Sequence, residues 1–373
     1  MNIEIKEVKD IAARRDFIEF PHILYANSPY WVPPIGRQEL DALDPEKNPA
    51  FEHCRSRLWI AYRDAQPVGR IAAIINLREI DILGQAVGRF GWFDVIDDTE
   101  VTEVLLEKAE GWLRKEGMSE IKGPYGFTNF DKTGVLTSGF EEIPTIAAPY
   151  NFPYYIDHLK YFGFKTETEW VEYEIEVPDS IPERIERLAD TIQTRMGVQS
   201  VKPGSKQELR KYANQIFDLL MRAYGDLHGF IPYTDEQVDY FIKSQIEFII
   251  PEYVSLISNN EGELIAFGIT MPSLSKAFQK AKGKLFPLGW YHILKAQRNP
   301  EVADLLLIGV RPDYRNKGLN ALIFRDIMKT FIEKGIQRVE TNAELADNQR
   351  VQSLWHRYEP RLHKRRVTLI KDL

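Results

Sequence analysis

Between residues 310 and 320 the chain reads Val-Arg-Pro-Asp-Tyr-Arg-Asn-Lys-Gly-Leu-Asn. An apolar run at 305–308 precedes this stretch, and Leu319, Leu322, Ile323, Ile327 and Phe331 follow it at helical spacing. A basic, glycine-containing turn from a strand into a helix is suited to holding phosphates. The first N–H groups of a helix have no partner inside it, and the helix dipole adds positive potential there. Gly318 allows the backbone to approach a diphosphate closely. Arg315 and Lys317 supply neutralising charge, and Arg311 is long enough to reach an outer phosphate.

The elements around this turn recur. In the first half, 58–62 and 68–75 read as a hairpin around Asp64-Ala-Gln-Pro67, and 89–95 as a third strand. Val101, Val104, Leu105, Ala109 and Trp112 mark a helix, followed by strand 120–123, helix 154–162 and strand 168–177. In the second half, 253–258 and 264–271 form a hairpin around Asn259-Asn-Glu-Gly262. Strand 304–310, helix 319–334, strand 338–341, helix 347–358 and strand 366–370 then follow. The division falls near Val177-Pro-Asp-Ser-Ile-Pro182, where two prolines interrupt the pattern, giving domains 1–177 and 178–373. Segments 25–57 and 124–153 are too long and too aromatic for idle loops, and are expected to pack over the first domain.

The first half carries its own control. Its corresponding junction, Asp94-Val-Ile-Asp-Asp-Thr-Glu100, has neither glycine nor cation, and its four carboxylates repel a diphosphate. Asp97 and Glu100 have capping-box spacing, with Asp97 as the cap. One phosphate site is therefore expected, not two.

Bulk properties narrow the field. The 373 residues suffice for two full cores, and a net charge of −7 argues against a nucleic-acid partner. The single cysteine, Cys54, excludes an internal disulfide framework and a multi-cysteine metal site, and suits a reducing cytoplasm. The N-terminus lacks the apolar core of a signal peptide, and no apolar stretch is long enough to span a bilayer. The histidines show no ligand spacing, so no metal is expected; His228 stands in a loop that either lines a site or is structural. No nucleophile elbow is present. The basic run His363-Lys-Arg-Arg366 adjoins a terminal strand and reads as cationic protection of a sheet edge.

The segment Arg315-Asn-Lys-Gly-Leu-Asn320 resembles the pyrophosphate loop of the GNAT acyltransferases, whose pattern is Gln/Arg-x-x-Gly-x-Gly/Ala, with Asn320 departing from it. Val310-x-Pro312-x-Tyr314 is also similar to that superfamily, and Asn348 with Val351, Leu354 and Trp355 resembles its second cofactor motif. The resemblance implies an α/β (α+β) chain of two tandem GNAT-like domains, each a mixed, mainly antiparallel central sheet flanked by helices. It implies acetyl-CoA or another acyl-CoA as co-substrate, no metal, and transfer of the acyl group to an amine. Val310, Arg311, Arg315, Asn316, Lys317, Gly318, Leu319, Asn320 and Asn348 are the implied cofactor contacts, with the Val310 N–H meeting the developing oxyanion.

The family's base, often a Glu, matches Asp304, expected on the strand face shared with Leu306 and Ile308. The acid tyrosine falls at Trp355, which cannot serve; Tyr358, one turn on, is the substitute. The first half then resembles a degenerate copy. Tandem proteins of this kind are associated with acylation of amines in lipid pathways, including a ceramide-synthase-like step, which leaves small-molecule and lipid amines both open. A non-catalytic protein that binds acyl-CoA or another ligand and keeps the fold is the alternative from another class.

The segment 272–295 is far longer than a hairpin turn requires. Its apolar residues alternate with lysines at 276, 280, 282, 284 and 295. Two readings stand: a lid or groove for a long acyl chain in contact with a membrane surface, or an extra helix packed on the core with a solvated basic face.

Overall fold

The structure is a computed structural model; it describes residues 3–227, 229–245 and 248–373. His228 lies outside the described residues. The first half begins with β1 (Ile3–Glu7), α1 (Ile11–Leu24) and α2 (Gly36–Ala42). Next come β2 (Cys54–Arg63), β3 (Gln66–Asn76), α3 (Leu77–Leu83), β4 (Val87–Val95), α4 (Thr99–Lys115) and β5 (Glu120–Gly123). It closes with β6 (Val135–Ser138), α5 (Tyr154–Tyr161) and β7 (Lys165–Glu176). The second half has α6 (Glu183–Met196), β8 (Gln199–Val201), α7 (Lys206–Tyr224), α8 (Asp235–Gln245), β9 (Val254–Ser258) and β10 (Leu264–Pro272). The 272–303 segment holds α9 (Ser275–Ala281) and α10 (Gly289–Arg298). The chain ends with β11 (Val302–Val310), α11 (Asn320–Lys334), β12 (Arg338–Thr341), β13 (Glu344–Leu345), α12 (Gln349–Gln352) and β14 (Arg361–Asp372).

Local chemistry accounts for these elements. Asp64 and Ala65 both take positive φ (49° and 63°), as the two-residue turn joining β2 to β3 requires. From Val68 to Asn76 every residue of β3 is buried, the mark of a strand covered on both faces. Phe17 and Ile18 of α1 cover one face together with Ile60 and Ile74, and Val101, Leu105 and Leu113 of α4 cover the other. In the second half Leu322, Ile323 and Phe331 of α11, with Ile192 of α6, cover one face. Leu209, Ile216 and Leu220 of α7 cover the other.

A single sheet runs through both halves in the order β1-β2-β3-β4-β5-β14-β7-β12-β11-β10-β9-β8. The two halves exchange their last strands. β7 closes the first half in sequence but pairs antiparallel with β12, while β14, from the chain's end, pairs antiparallel with β5. A cut at residue 177 therefore separates β7 from the chain that follows it but not from the second-half strands it pairs with. The exchange also corrects the edge-strand reading of 363–366. β14 is internal, with Lys364 and Arg366 at 0% and 1% exposure. Both are held by buried Glu172 of β7, and Lys364 also reaches Glu340 at 3.1 Å.

Three further expectations change. The helix expected over 347–358 is only α12 and a 3-10 turn, His356–Tyr358, because the Gln352 amide turns back onto the carbonyls of Leu345 and Ala346. The cap of α4 is Asp98, which accepts from the Glu100 N–H at 2.9 Å, one residue later than expected. Segments 25–57 and 124–153 bridge the halves rather than covering the first alone. Val32 and Ile35 pack with Met271, Phe278 and Ile293, and Phe130 stacks on Tyr233 at 4.9 Å.

Candidate active site

Strands β11 and β12 run parallel only from Val302↔Arg338 to Leu305↔Thr341, and then part. On its other edge β11 meets β10 with a register shift: Thr270 faces Leu305 but Ile269 faces Leu307, so Leu306 is the extra residue of a bulge. A mainly apolar cavity of about 310 Å³ lies beyond this point. Its walls include Leu306, Ile308, Phe324, Trp355 and Tyr358, with Tyr224, Asn342, Glu344 and Asn348 as the polar members used below. Phe130, Ile269, Leu306, Leu307 and Asn342 also line a larger cavity of about 780 Å³ between the halves. The two spaces thus meet at the bulge.

The backbone beside the cavity carries the right groups. Arg311 donates its N–H to the Ile265 carbonyl at 2.8 Å, so by the alternation of an antiparallel ladder the Val310 N–H is directed away from β10, toward the parting strands. The Tyr224 hydroxyl takes the Ile308 carbonyl on that side at 3.0 Å. The cavity lining stops at Ile308, short of Val310.

The phosphate turn has the expected backbone and a rearranged set of cations. Asn316 and Gly318 take positive φ (60° and 85°), and α11 begins at Asn320 itself. Among the described residues the N–H groups of 316–320 have no hydrogen-bond partner. A Cβ on Gly318 would stand 2.5 Å from the Ile192 Cδ1 of α6. Arg311, however, forks onto Asp313 (2.8 and 3.0 Å) and meets Glu263 at 3.0 Å. Arg315 is bound to Asp226 at 3.1 Å and to the Ala223 carbonyl at 2.7 Å. Among the described residues only Lys317, with its ammonium 4.8 Å from the Tyr314 ring centre, has no carboxylate partner. The charge expected of three side chains therefore rests on one, plus the backbone.

Asp304 is placed differently from its expected position. The bulge breaks the face it would share with Leu306 and Ile308. It is 0% exposed, lines neither cavity, and sits between Met271 and Glu340 in the sheet. Burial, and then the charge of Glu340, push its carboxyl up to about 7. Ser273 stands near enough to oppose this slightly, but neither oxygen meets hydrogen-bond geometry. Across the same row Glu174, Glu340 and His363 bring three potential ligand atoms within 4.8 Å of one another. Arg361 and Lys364 already neutralise the two carboxylates, so the cluster acts as an ion network that joins the exchanged strands.

Two carboxyl groups line the cavity, exposed Glu176 and the more buried Glu344, which the sequence reading passed over. Burial pushes it up to about 7, against the pull of Trp355 and Thr341. The Trp355 indole donates to Oε1 at 2.7 Å, and Oε2 is buried without a partner among the described residues. The same tryptophan that replaces the expected acid thus orients a carboxylate. Its charge is felt by Tyr224, whose hydroxyl is raised to about 12, chiefly by burial. Asn348 caps α12 by accepting from the Val351 N–H at 3.3 Å and also lines the cavity, as does Tyr358. No local motif marks Glu344; its place in an Asn-Ala-Glu-Leu stretch just after a strand was the only available signal.

Comparison with known proteins bears on this geometry. The profile of the acetyltransferase (GNAT) family matches residues 213–358, which contain the turn, the parted strands and Glu344. The match places the second half of the chain with the GNAT family. Its fold is similar over its full length to a tandem GNAT protein from the clavulanic acid biosynthesis pathway. That match has a TM-score of 0.59 at 13% identity and covers 100% of this chain and 98% of the other. In sequence the chain is 26% identical over 356 residues to protein YghO of Escherichia coli (strain K12), covering 94% of this chain and 90% of that one. It is 28% identical over 320 residues to the bacterial ceramide synthase of Caulobacter vibrioides, covering 84% and 82% respectively. Among the described residues no helix is long and apolar enough to cross a membrane.

Proposed function

We propose that this tandem-GNAT chain is an N-acyltransferase that moves an acyl group from acyl-CoA to an amine. The observation that carries the reading is the apolar cavity between the parted β11 and β12, with a carboxyl group on its wall and an unsatisfied strand-to-helix turn following β11 in the chain. In this reading the diphosphate lies on the N–H groups of 316–320 with Lys317, and the pantetheine arm follows β11 toward the bulge. The first half, with its acidic junction, holds no second CoA.

The chemistry follows from placement. Glu344, poised near neutral pH, takes a proton from the attacking ammonium. The amine nitrogen bonds to the thioester carbon, and the Val310 N–H meets the developing oxyanion. The C–S bond then breaks, the nitrogen loses its second proton to water, and the leaving thiolate takes a proton from Tyr358 or water, leaving a neutral amide and a free thiol. Asp304, which lines neither cavity, supports β11 rather than the reaction. A reducing cytoplasm remains the expected setting, consistent with buried Cys54.

The larger cavity favours a second, finer reading: a long-chain acyl group or a lipid amine as substrate. A space of about 780 Å³ that opens onto the bulge exceeds what a small amine needs, and one relative is named a bacterial ceramide synthase. Thiol release from acyl-CoAs of rising chain length, each offered small and long-chain amines, tests both readings. Turnover that favours long chains supports the lipid reading; turnover with acetyl-CoA and small amines alone removes it. Binding of CoA without turnover on any pair leaves a ligand-binding protein.

A further inference from the structure

The chain has no aspartate or glutamate from residue 264 to residue 300, yet it carries an overall charge of −7. Within that stretch stand five lysines and Arg298. Among the described residues none of these six forms an ion pair. The same segment concentrates exposed apolar side chains. Phe286 is 79% exposed, Leu288 64%, Tyr291 52%, Trp290 48% and Leu294 40%. Packing does not require them outside, because the inner face of α9 and α10 is already filled by Ala277, Phe278 and Ile293 against Val32, Ile35 and Met271. The segment is therefore packed on the core, while its outer face mixes exposed apolar side chains with the lysines instead of presenting a purely basic surface.

We propose that this outer face docks on an anionic phospholipid bilayer. Aromatic and leucine side chains bury in the headgroup–acyl boundary, and lysines around them meet lipid phosphates while their stems cover apolar surface. Charge complementarity selects a membrane over pairing with the same patch on a second copy, since the patch is basic throughout and has no acid to pair with its own lysines. The docking face backs directly onto the large cavity: Phe278 and Leu285 line that cavity from the inside of the segment whose outside is the patch. A lipid leaving the bilayer at this face would enter beside the wall that leads to the bulge. The docking itself stands without the acyl-transfer reading, and its test reads binding alone.

Co-sedimentation of the full chain with vesicles of phosphatidylcholine, with and without phosphatidylglycerol, tests the proposal at low and high salt. Binding to the anionic vesicles that is screened by salt is expected. Phe286→Ser/Leu288→Ser/Trp290→Ser and Lys280→Glu/Lys282→Glu/Lys284→Glu should each weaken it about tenfold or more, with unchanged thermal melting, because all six side chains are exposed. Three results would overturn it: no binding by the unaltered chain, equal binding to neutral vesicles that ignores the lysine reversals, or a dimer in sedimentation velocity that the apolar triple variant dissolves.

Discussion

The fourth and fifth strands of each half make a direct comparison. Counted from the first paired residue, Arg89 and Lys122 of the first half stand where Asp304 and Glu340 stand in the second. The signs are inverted. In the first half two cations close on Glu79, at 2.7 and 2.9 Å, under full burial. In the second, Lys364 from the exchanged strand β14 pairs with Glu340 at 3.1 Å, and only its charge reaches Asp304. The space beyond differs to match. Tyr125 donates its N–H to the Phe90 carbonyl at 2.7 Å and runs so close to Gly91 that a Cβ there would stand 2.1 Å from the Tyr125 carbonyl. The gap beside β4 is therefore filled by backbone, whereas Leu306, at the position of Gly91, looks into an open cavity. The junctions follow suit: Asp98 spends its carboxylate on a helix cap and on Arg63, while the 316–320 turn leaves its N–H groups unspent. One half uses its polar groups on itself; the other leaves the N–H groups of its turn unpaired among the described residues.

The largest expected effect tests that contrast on the open side. Glu344→Gln should lower turnover by about 10²–10⁴ while leaving CoA affinity near its starting value. A loss of affinity with turnover per bound donor unchanged would assign Glu344 to binding. On the closed side, Glu79→Ala leaves buried Arg89 without a carboxylate and Lys122 with only Glu167, at 3.7 Å, and should cost roughly 3–5 kcal/mol in denaturant unfolding. If it instead abolished CoA binding in folded protein, the two halves would not be as separate as their geometry suggests.

Acidity separates the halves next. Asp304 and Glu344 both have folded pKa values near 7, above their ordinary values, so the folded chain holds protons that the unfolded chain releases. Their contribution should therefore fall as pH rises from about 4 to about 7 and level off above. Asp304→Asn should flatten part of that slope in urea melts taken across the range. Glu172 works the other way and lower down: against the cost of its burial, Arg366 and Lys364 hold it at about 2, so its contribution is lost as pH drops below about 4. The smallest effect is at the turn. Gly318→Ala meets positive φ and the Ile192 contact, and should destabilise by roughly 1–3 kcal/mol while weakening CoA in titration calorimetry. Asp98→Ala at the first-half junction should cost about 1 kcal/mol and leave CoA untouched.

Residues with local signatures were readable from the sequence. The hairpin at Asp64-Ala65, the stripe of α11 and the turn at Gly318 each depend on neighbours within a few positions, where backbone sterics and helical periodicity act. The acidic first-half junction was legible for the same reason, apart from a one-residue slip of its cap. Long-range contacts were not. The exchange of β7 and β14 pairs residues about two hundred positions apart, and it turned a supposed basic edge into a buried ion network. The bulge at Leu306 moved Asp304 off its expected face, because one extra residue inverts a period of two. Glu344 was invisible in sequence because its character comes from Trp355 and from a cavity that stretches from both halves of the chain enclose. Charge and periodicity alone determined that only one half carries a basic, glycine-containing strand-to-helix turn. Which carboxylate faces that site was decided only when the strands parted and burial set its proton affinity.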